Sequence, residues 1–337
     1  MMRRYRIAAF TGTAGLALDS VDVPRPGPSE ALVRIHASSL NFRDGMILNG
    51  AFGPMVPQGR VPLSDGAGEV TAIGQDVTRF RPGDRVMPIF NPQWIGGKRP
   101  IDHSVLGLGG AYDGTLCDYV IVKEEALVAI PAHLSFEEAA SLPCAAVTAW
   151  CALVMQEPLY PGETVLTLGT GGVSVFALQL AKLFGARVIS TTSSDQKAAR
   201  LKQLGADETI NYKAFPDWED EVRRLTDGKG ADVVVEVGGA GTLAKSFKSA
   251  HPNTRIAIVG LLAGGSGGEG FDFMSWIAST YRTATGSRQD FEQLNTAISH
   301  HKLRPVIDRV FDFEDAPAAF EYFNAQKHFG KVVIRHS

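Results

Sequence analysis

Residues 165–185 constrain the fold more than any other stretch of this 337-residue chain. Four strand-forming residues, Val165-Leu166-Thr167-Leu168, run without a break into Gly169-Thr170-Gly171-Gly172-Val173-Ser174, and then into a helix-length amphipathic segment. An apolar strand turned sharply by glycine into a helix packs stably when the strand lies in a parallel sheet with helices on both faces. Gly169 permits the tight turn. Gly171 leaves the backbone open to close approach, and the free amides and positive dipole end of the helix face outward there. That geometry suits a pyrophosphate, which makes Gly169, Thr170, Gly171, Gly172 and Val173 candidate dinucleotide contacts. Ser174 occupies the third glycine position of the usual pattern, and an ordinary Gly-rich turn is the competing reading.

The surrounding periodicity extends the pattern. Strands are expected over 165–168, 187–191, 208–210, 233–237 and 256–259, with helices over 173–184, 195–204, 218–225 and 242–250. This alternation predicts a doubly wound parallel α/β sheet, the Rossmann arrangement, over 146–286. The earlier residues instead read as short strands cut by Pro- and Gly-rich turns, a β-rich domain of the partly open barrel type. Ser135, with Glu138 three residues later, forms a capping-box signature where the period changes. The last stretch, 287–337, carries two helices and a closing apolar strand at Lys331-Val332-Val333-Ile334-Arg335, expected to return to the first domain. The expected domains are therefore 1–145 with 287–337, and 146–286.

Composition narrows the partners. A 45% hydrophobic and 20% charged chain of net charge −3 is that of a globular protein, and predicts no nucleic-acid or membrane partner. Cys117, Cys144 and Cys151 form no paired framework, which with the absence of a signal pattern predicts a cytoplasmic protein.

The second βα unit bears on the cofactor. A site reading NADH places Asp or Glu at the end of the second strand. Here that strand runs into Thr192-Ser193-Ser194, and Ser193, Ser194 and Lys197 suit a 2′-phosphate instead, so NADPH is expected over NADH. Asp195 reads as the cap of the following helix.

Over essentially its whole length the chain resembles the medium-chain dehydrogenase/reductase superfamily, and within it the zinc-free, quinone-oxidoreductase-like branch. The resembling blocks are Ser39-Leu40-Asn41-Phe42-Arg43-Asp44, Ser64-Asp65-Gly66-Ala67-Gly68-Glu69, Phe80-Arg81-Pro82-Gly83-Asp84-Arg85 and Leu142-Pro143-Cys144-Ala145-Ala146-Val147-Thr148-Ala149. Further blocks are Gly169 to Ser174, Leu204-Gly205-Ala206-Asp207 with Ile210-Asn211-Tyr212, and Phe329-Gly330-Lys331-Val332-Val333. The resemblance implies a GroES-like substrate domain beside the Rossmann domain, and a homodimer paired through a sheet edge near 280–285. It places Tyr212 at the 2′-phosphate. Val237, Gly238, Leu261 and Lys331 are further candidates for the cofactor.

In zinc-dependent relatives, three ligand positions correspond to Asn41, Ser64 and Cys144 here. One soft ligand does not hold a catalytic metal, so no zinc is expected. The substrate is expected to be a small molecule that needs no Lewis acid, a quinone or an α,β-unsaturated carbonyl. Asn41 is the candidate hydrogen-bond donor to the developing oxyanion, or else a turn residue bonding local backbone. Asp65 is a candidate proton-relay group, or a bonder of amides in its own turn, and Thr148 a candidate contact of the nicotinamide. Cys144 reads as a buried small hydrophobe. The segment from Trp94 through Gly96 to His103 reads as a rim over the substrate, with His103 a possible acid or base. An alcohol or aldehyde dehydrogenase and a non-catalytic NADPH-binding sensor or structural protein are the alternatives.

Overall fold

The computed structural model describes residues 1–102, 106–260, 278–283 and 285–336. Leu261, His103 and the glycine-rich run at 263–270 lie outside the described residues. The chain divides into two compact units: Met1–Val147 with Thr285–Ser337, and Thr148–Ala284.

The second unit is built on a six-stranded parallel sheet. Its order from one edge is Glu208–Asn211, Arg187–Thr192, Thr164–Thr167, Ala231–Glu236, Ala250–Ile258, Ser279–Arg282. Counted along the chain this is 3-2-1-4-5-6, the doubly wound order in which ligands bind beyond the carboxyl ends of the strands. Strand Thr164–Thr167 is buried at all four positions, as a central strand covered on both faces must be. Leu166, Ile189, Ile210, Val234 and Ile256 stack across the sheet and meet Trp218, Val222 and Phe247 from the helices. Among the described residues strand Ser279–Arg282 is the last strand on one side, and three of its four residues are exposed.

The first unit centres on a seven-stranded sheet. Strand Glu30–Ser39 is its hub, pairing antiparallel with Asp65–Ile73, Tyr119–Lys123 and Lys331–Arg335. Arg85–Pro88 and Leu127–Ala129 extend one side, and Ile307–Asp312 runs parallel to Lys331–Arg335 on the other. The closing strand is buried at four of five positions, Lys331 included. The capping box forms as expected: Ser135 Oγ accepts the Glu138 amide at 3.2 Å and Glu138 returns the bond to the Ser135 amide at 2.8 Å.

Two departures from the expected pattern shape the chemistry below. Helix Phe42–Leu48 has no strong sequence periodicity, yet forms because Asp44 accepts the Asn41 amide at 2.8 Å and closes its first turn. Beyond helix Phe136–Ala140 the chain does not continue as α-helix. It widens into a π-helical turn, Leu142–Ala146, before helix Val147–Val154. Such one-turn widenings reorient backbone groups. Here the turn aims the Cys144 amide at the Asp65 carboxylate, 3.3 Å away.

Candidate active site

In the second unit, the turn after strand Thr164–Thr167 has the geometry a pyrophosphate needs. Gly169 sits at φ +72°, in the left-handed region. A Cβ built on Gly171 meets nothing within 4 Å, so the space over this glycine is open. Gly171 is the N-cap of helix Gly172–Leu183, whose first-turn amides have no partner within the helix. Ser174, where a third glycine is usual, is buried and donates its hydroxyl back to the Leu168 carbonyl at 2.6 Å. The serine thus tethers the helix to the strand end by a bond, where glycine would do so by close packing.

At the end of the neighbouring strand, Thr192 Oγ1 is buried and has no hydrogen-bond partner among the described residues. A buried hydroxyl without a partner is costly, and here it lies at the strand terminus where a Rossmann site receives the ribose. The parallel register sets Asn211 against Thr192, and the Tyr212 amide donates to the Thr192 carbonyl at 2.9 Å. The Tyr212 backbone is thereby held beside Thr192, at the strand end from which Ser193 and Ser194 lead into helix Asp195–Gln203. The cap of helix Asp195–Gln203 is Ser194, whose hydroxyl accepts the Lys197 amide at 3.3 Å. Asp195 is not the cap; its carboxylate takes the Asn211 side-chain amide at 2.8 Å, tying the two strand ends together.

Glu236, fully buried, closes strand Ala231–Glu236. Its Oε1 accepts the amides of Gly238 at 2.7 Å and Gly239 at 2.9 Å and the Thr242 hydroxyl at 2.6 Å, while Ser246 donates to Oε2. Gly238 thus spends its amide inward, and a Cβ on it would lie 2.3 Å from Thr242 Oγ1. Val237 is half-buried and packs against the apolar core of the sheet. Replacing Glu236 by Ala would strand four donors, and is expected to cost at least ~3 kcal/mol. Urea unfolding checks this, and a loss below ~1 kcal/mol would show that water replaces the carboxylate.

In the first unit a polar cluster forms where the hub strand ends. Lys331, 2% exposed, donates from Nζ to the Leu40 carbonyl and to Asn41 Oδ1, both at 2.7 Å, and lies 3.7 Å from Asp65 Oδ2. Asn41 Nδ2 points to Ser64 Oγ at 3.5 Å, and Ser64 donates to Asp65 Oδ1 at 2.7 Å. Asp65 opens strand Asp65–Ile73 instead of sitting in a turn, and the amide it takes is that of Cys144. Leu63, just before, is held at φ +70° while fully buried, a strain of about 1–2 kcal/mol that the packing sustains. Burial pushes the Asp44 carboxyl up to about 6, with Asp65 adding to the shift and Arg43 opposing it. The structure thus brings Asn41, Asp65 and Lys331 together, whereas Thr148, buried in helix Val147–Val154, belongs to the other unit. Sequence reading missed the partnership of Lys331, Ser64 and Cys144 with these residues, and no local signal reports a contact across 290 residues.

These residues do not fit a zinc ion. Asn41 and Ser64 are poor ligands, and the Asn41 oxygen already holds an ammonium. Cys144 is the one soft ligand among them, and one such ligand does not hold a catalytic metal. Among the described residues no group of three His, Cys, Asp or Glu is placed to hold a metal, and no helix is long and apolar enough to cross a membrane.

Two family models match the chain: the alcohol dehydrogenase GroES-like domain over residues 27–132, and the zinc-binding dehydrogenase family over 172–300. A zinc-type alcohol dehydrogenase-like protein of Schizosaccharomyces pombe is 40% identical, over 97% of this chain and 96% of its own length. A quinone oxidoreductase of Pseudomonas aeruginosa is 32% identical over 99% of both chains. Among solved structures, a putative alcohol dehydrogenase from Sinorhizobium meliloti superposes with TM-score 0.92 at 39% identity, covering 99% of this chain and 98% of that one. With its parallel nucleotide-binding sheet and GroES-like unit, this chain belongs to the medium-chain dehydrogenase/reductase superfamily of nicotinamide-dependent oxidoreductases.

Proposed function

We propose that the protein is a zinc-independent, NADPH-dependent reductase of quinones or α,β-unsaturated carbonyl compounds, acting as a cytoplasmic homodimer. The observation that carries this reading is the buried Lys331 ammonium on Asn41 Oδ1, in a set of groups unsuited to zinc. Without a Lewis acid, the favoured acceptors are those that delocalise the incoming charge themselves. Bound NADPH supplies the hydride. On transfer to a quinone carbon or to the β-carbon of an enone, negative charge collects on the acceptor oxygen. Asn41 Nδ2 is the donor offered to that oxygen, and the proton that completes reduction comes from solvent.

The preference for NADPH rests on Ser193, Ser194, Lys197 and Tyr212 and on the absence of an acid at Thr192 itself; the nearby Asp195 carboxylate is engaged by the Asn211 side-chain amide at 2.8 Å. Gly169, Thr170, Gly171, Gly172 and Val173 serve the pyrophosphate, Val237 and Gly238 the adjoining strand end, and Thr148 the nicotinamide. The exposed edge strand Ser279–Arg282 is the pairing surface offered to a second copy.

The test is NADPH oxidation by chelator-treated protein with quinones, enones, aldehydes and ketones, repeated with NADH. The expected result is turnover of quinones or enones with NADPH preferred. Activity that appears only on adding zinc would overturn it. The second reading, an alcohol or aldehyde dehydrogenase, is favoured by the names of the S. pombe and S. meliloti relatives. Oxidation of simple alcohols by the metal-free protein would establish that reading instead.

A further inference from the structure

Lys331 is a conspicuous charge to find in its place. It opens a strand whose first four residues are all buried, and removing an ammonium from water costs several kcal/mol unless strong partners compensate. Two of its three N–H groups are used at 2.7 Å, on the Leu40 carbonyl and on Asn41 Oδ1, and Asp65 Oδ2 stands 3.7 Å off as counter-charge. The remaining links close a ring: Asn41 Nδ2 to Ser64 Oγ at 3.5 Å, then Ser64 Oγ to Asp65 Oδ1 at 2.7 Å.

The direction of that ring has one solution at Asn41. An ammonium only donates, so the atom facing it must be the amide oxygen; the flipped amide would set NH2 against NH3⁺. The NH2 group therefore faces the opposite way. Its bond to Ser64 is long, and its second N–H is not spent on any protein group described. Withdrawal of electrons through Oδ1 by a buried cation also strengthens both N–H groups as donors.

We propose that Lys331 is a positioning residue for hydride transfer: its ammonium pins Asn41 Oδ1, so that Asn41 Nδ2 is held as the donor for the acceptor's oxyanion. This rests on the reductase reading above and deepens it. The fixed charge behind the amide does by orientation and polarisation what a metal would do by direct coordination, and Lys331 itself does not touch cofactor or substrate.

The test compares the full-length protein with Lys331→Arg, with the charge-balanced pair Lys331→Met and Asp65→Asn, with Asn41→Ala, and with the triple variant. Removing Lys331 alone would leave Asp65 buried without its cation, so the pair protects folding. With 1,4-benzoquinone and 2-cyclohexenone as acceptors, the pair is expected to lower kcat about 10- to 100-fold. NADPH dissociation constants, read from nicotinamide fluorescence, should stay within about twofold. In the Asn41→Ala background the same pair should cost less than about threefold more, because a residue acting through Asn41 has nothing left to act on.

Lys331→Arg, with a wider head group, is expected to retain part of kcat. A tenfold weaker NADPH with kcat preserved would overturn the proposal and make Lys331 a cofactor contact. Fully additive losses in the triple variant would overturn it as well, as would wild-type kcat in Asn41→Ala. A second readout does not need turnover. With asparagine-selective 15N labelling, the Asn41 side-chain amide is assigned by its disappearance in Asn41→Ala. It should exchange slowly with solvent in the parent protein and fast in the pair; equal rates would mean that nothing is pinned. Failure of the parent to reduce either acceptor would sink the reductase reading alone, while the exchange measurement still decides the pinning.

Discussion

Ser193→Asp is expected to raise the KM for NADPH about 100-fold while leaving the KM for NADH unchanged or lower. Ser193 follows strand Arg187–Thr192 and precedes the cap of helix Asp195–Gln203, so it sits at the positive end of that helix. The pairing of Asn211 with Thr192 brings the Tyr212 backbone to the same corner. In the proposed complex this corner receives the 2′-phosphate. A carboxylate about 5 Å from a phosphate charge costs ~3 kcal/mol at an effective dielectric constant of about 20, which is roughly two decades in affinity. NADH has a ribose hydroxyl there, which a carboxylate accepts as a hydrogen bond. The substitution is safe for folding, because an acid just before a helix complements the dipole. Lys197→Ala should lose about tenfold in NADPH affinity by removing one attractive charge. Steady-state kinetics with both cofactors decide the matter: a change below threefold for NADPH in Ser193→Asp would place the phosphate elsewhere, or remove it.

How far such residues can be recognised from sequence depends on how local their partners are. Gly169 through Ser174 are legible because strand, turn and helix follow one another within ten residues, and the backbone conformation at Gly169 is demanded by the turn itself. The bond of Ser174 to Leu168 is visible only as a departure from the glycine pattern, since its partner is a carbonyl six residues back that any residue supplies. The Ser135–Glu138 box is equally local. Ser194 and Asp195 show where local chemistry becomes ambiguous. Both are good caps, and the choice is made by Asn211, sixteen residues away, which claims the Asp195 carboxylate. The helix Phe42–Leu48 escapes notice because seven residues carry too little periodicity. The cluster of Asn41, Ser64, Asp65 and Lys331 is assembled by register between the hub strand and its neighbours, and the π-helical turn adds Cys144, long-range properties with no short-range trace. The family resemblance points to Asn41 and to Lys331 separately, but not to the bond between them.

Two buried titrating groups of the first unit oppose one another in acid, and separating them should give large, opposite changes in stability. His336 is 4% exposed, packs on Phe313, and shares a 3.0 Å bond with Ser38 Oγ. Burial drives its imidazole down from 6.5 to about 3. Because the folded form resists protonation, its contribution is intact above pH 6.5 and is lost as the pH falls toward 3, at about 1.4 kcal/mol per pH unit, up to ~5 kcal/mol. Asp44 works the other way. Its carboxyl is raised from 3.8 to about 6, so its contribution is full below 3.8 and is lost as the pH rises through 6, a range of ~3 kcal/mol. Between pH 4 and 6 the two slopes nearly cancel. His336→Phe, which keeps an aromatic ring against Phe313, should therefore make the protein gain stability toward pH 4 relative to the parent, by about 3 kcal/mol over two units. Asp44→Asn, which still accepts the Asn41 amide, should be more stable than the parent at pH 8 by a similar ~3 kcal/mol and lose that advantage at pH 4. Urea unfolding at pH 4, 6 and 8 measures all three proteins, and differences between variants cancel the exposed carboxylates they share. If the His336→Phe and parent curves run parallel from pH 8 to pH 4, the imidazole is not held neutral by the fold. If Asp44→Asn is the less stable protein at pH 8, the carboxylate is compensated by Arg43 and the helix it starts, and its ionised form is the native one.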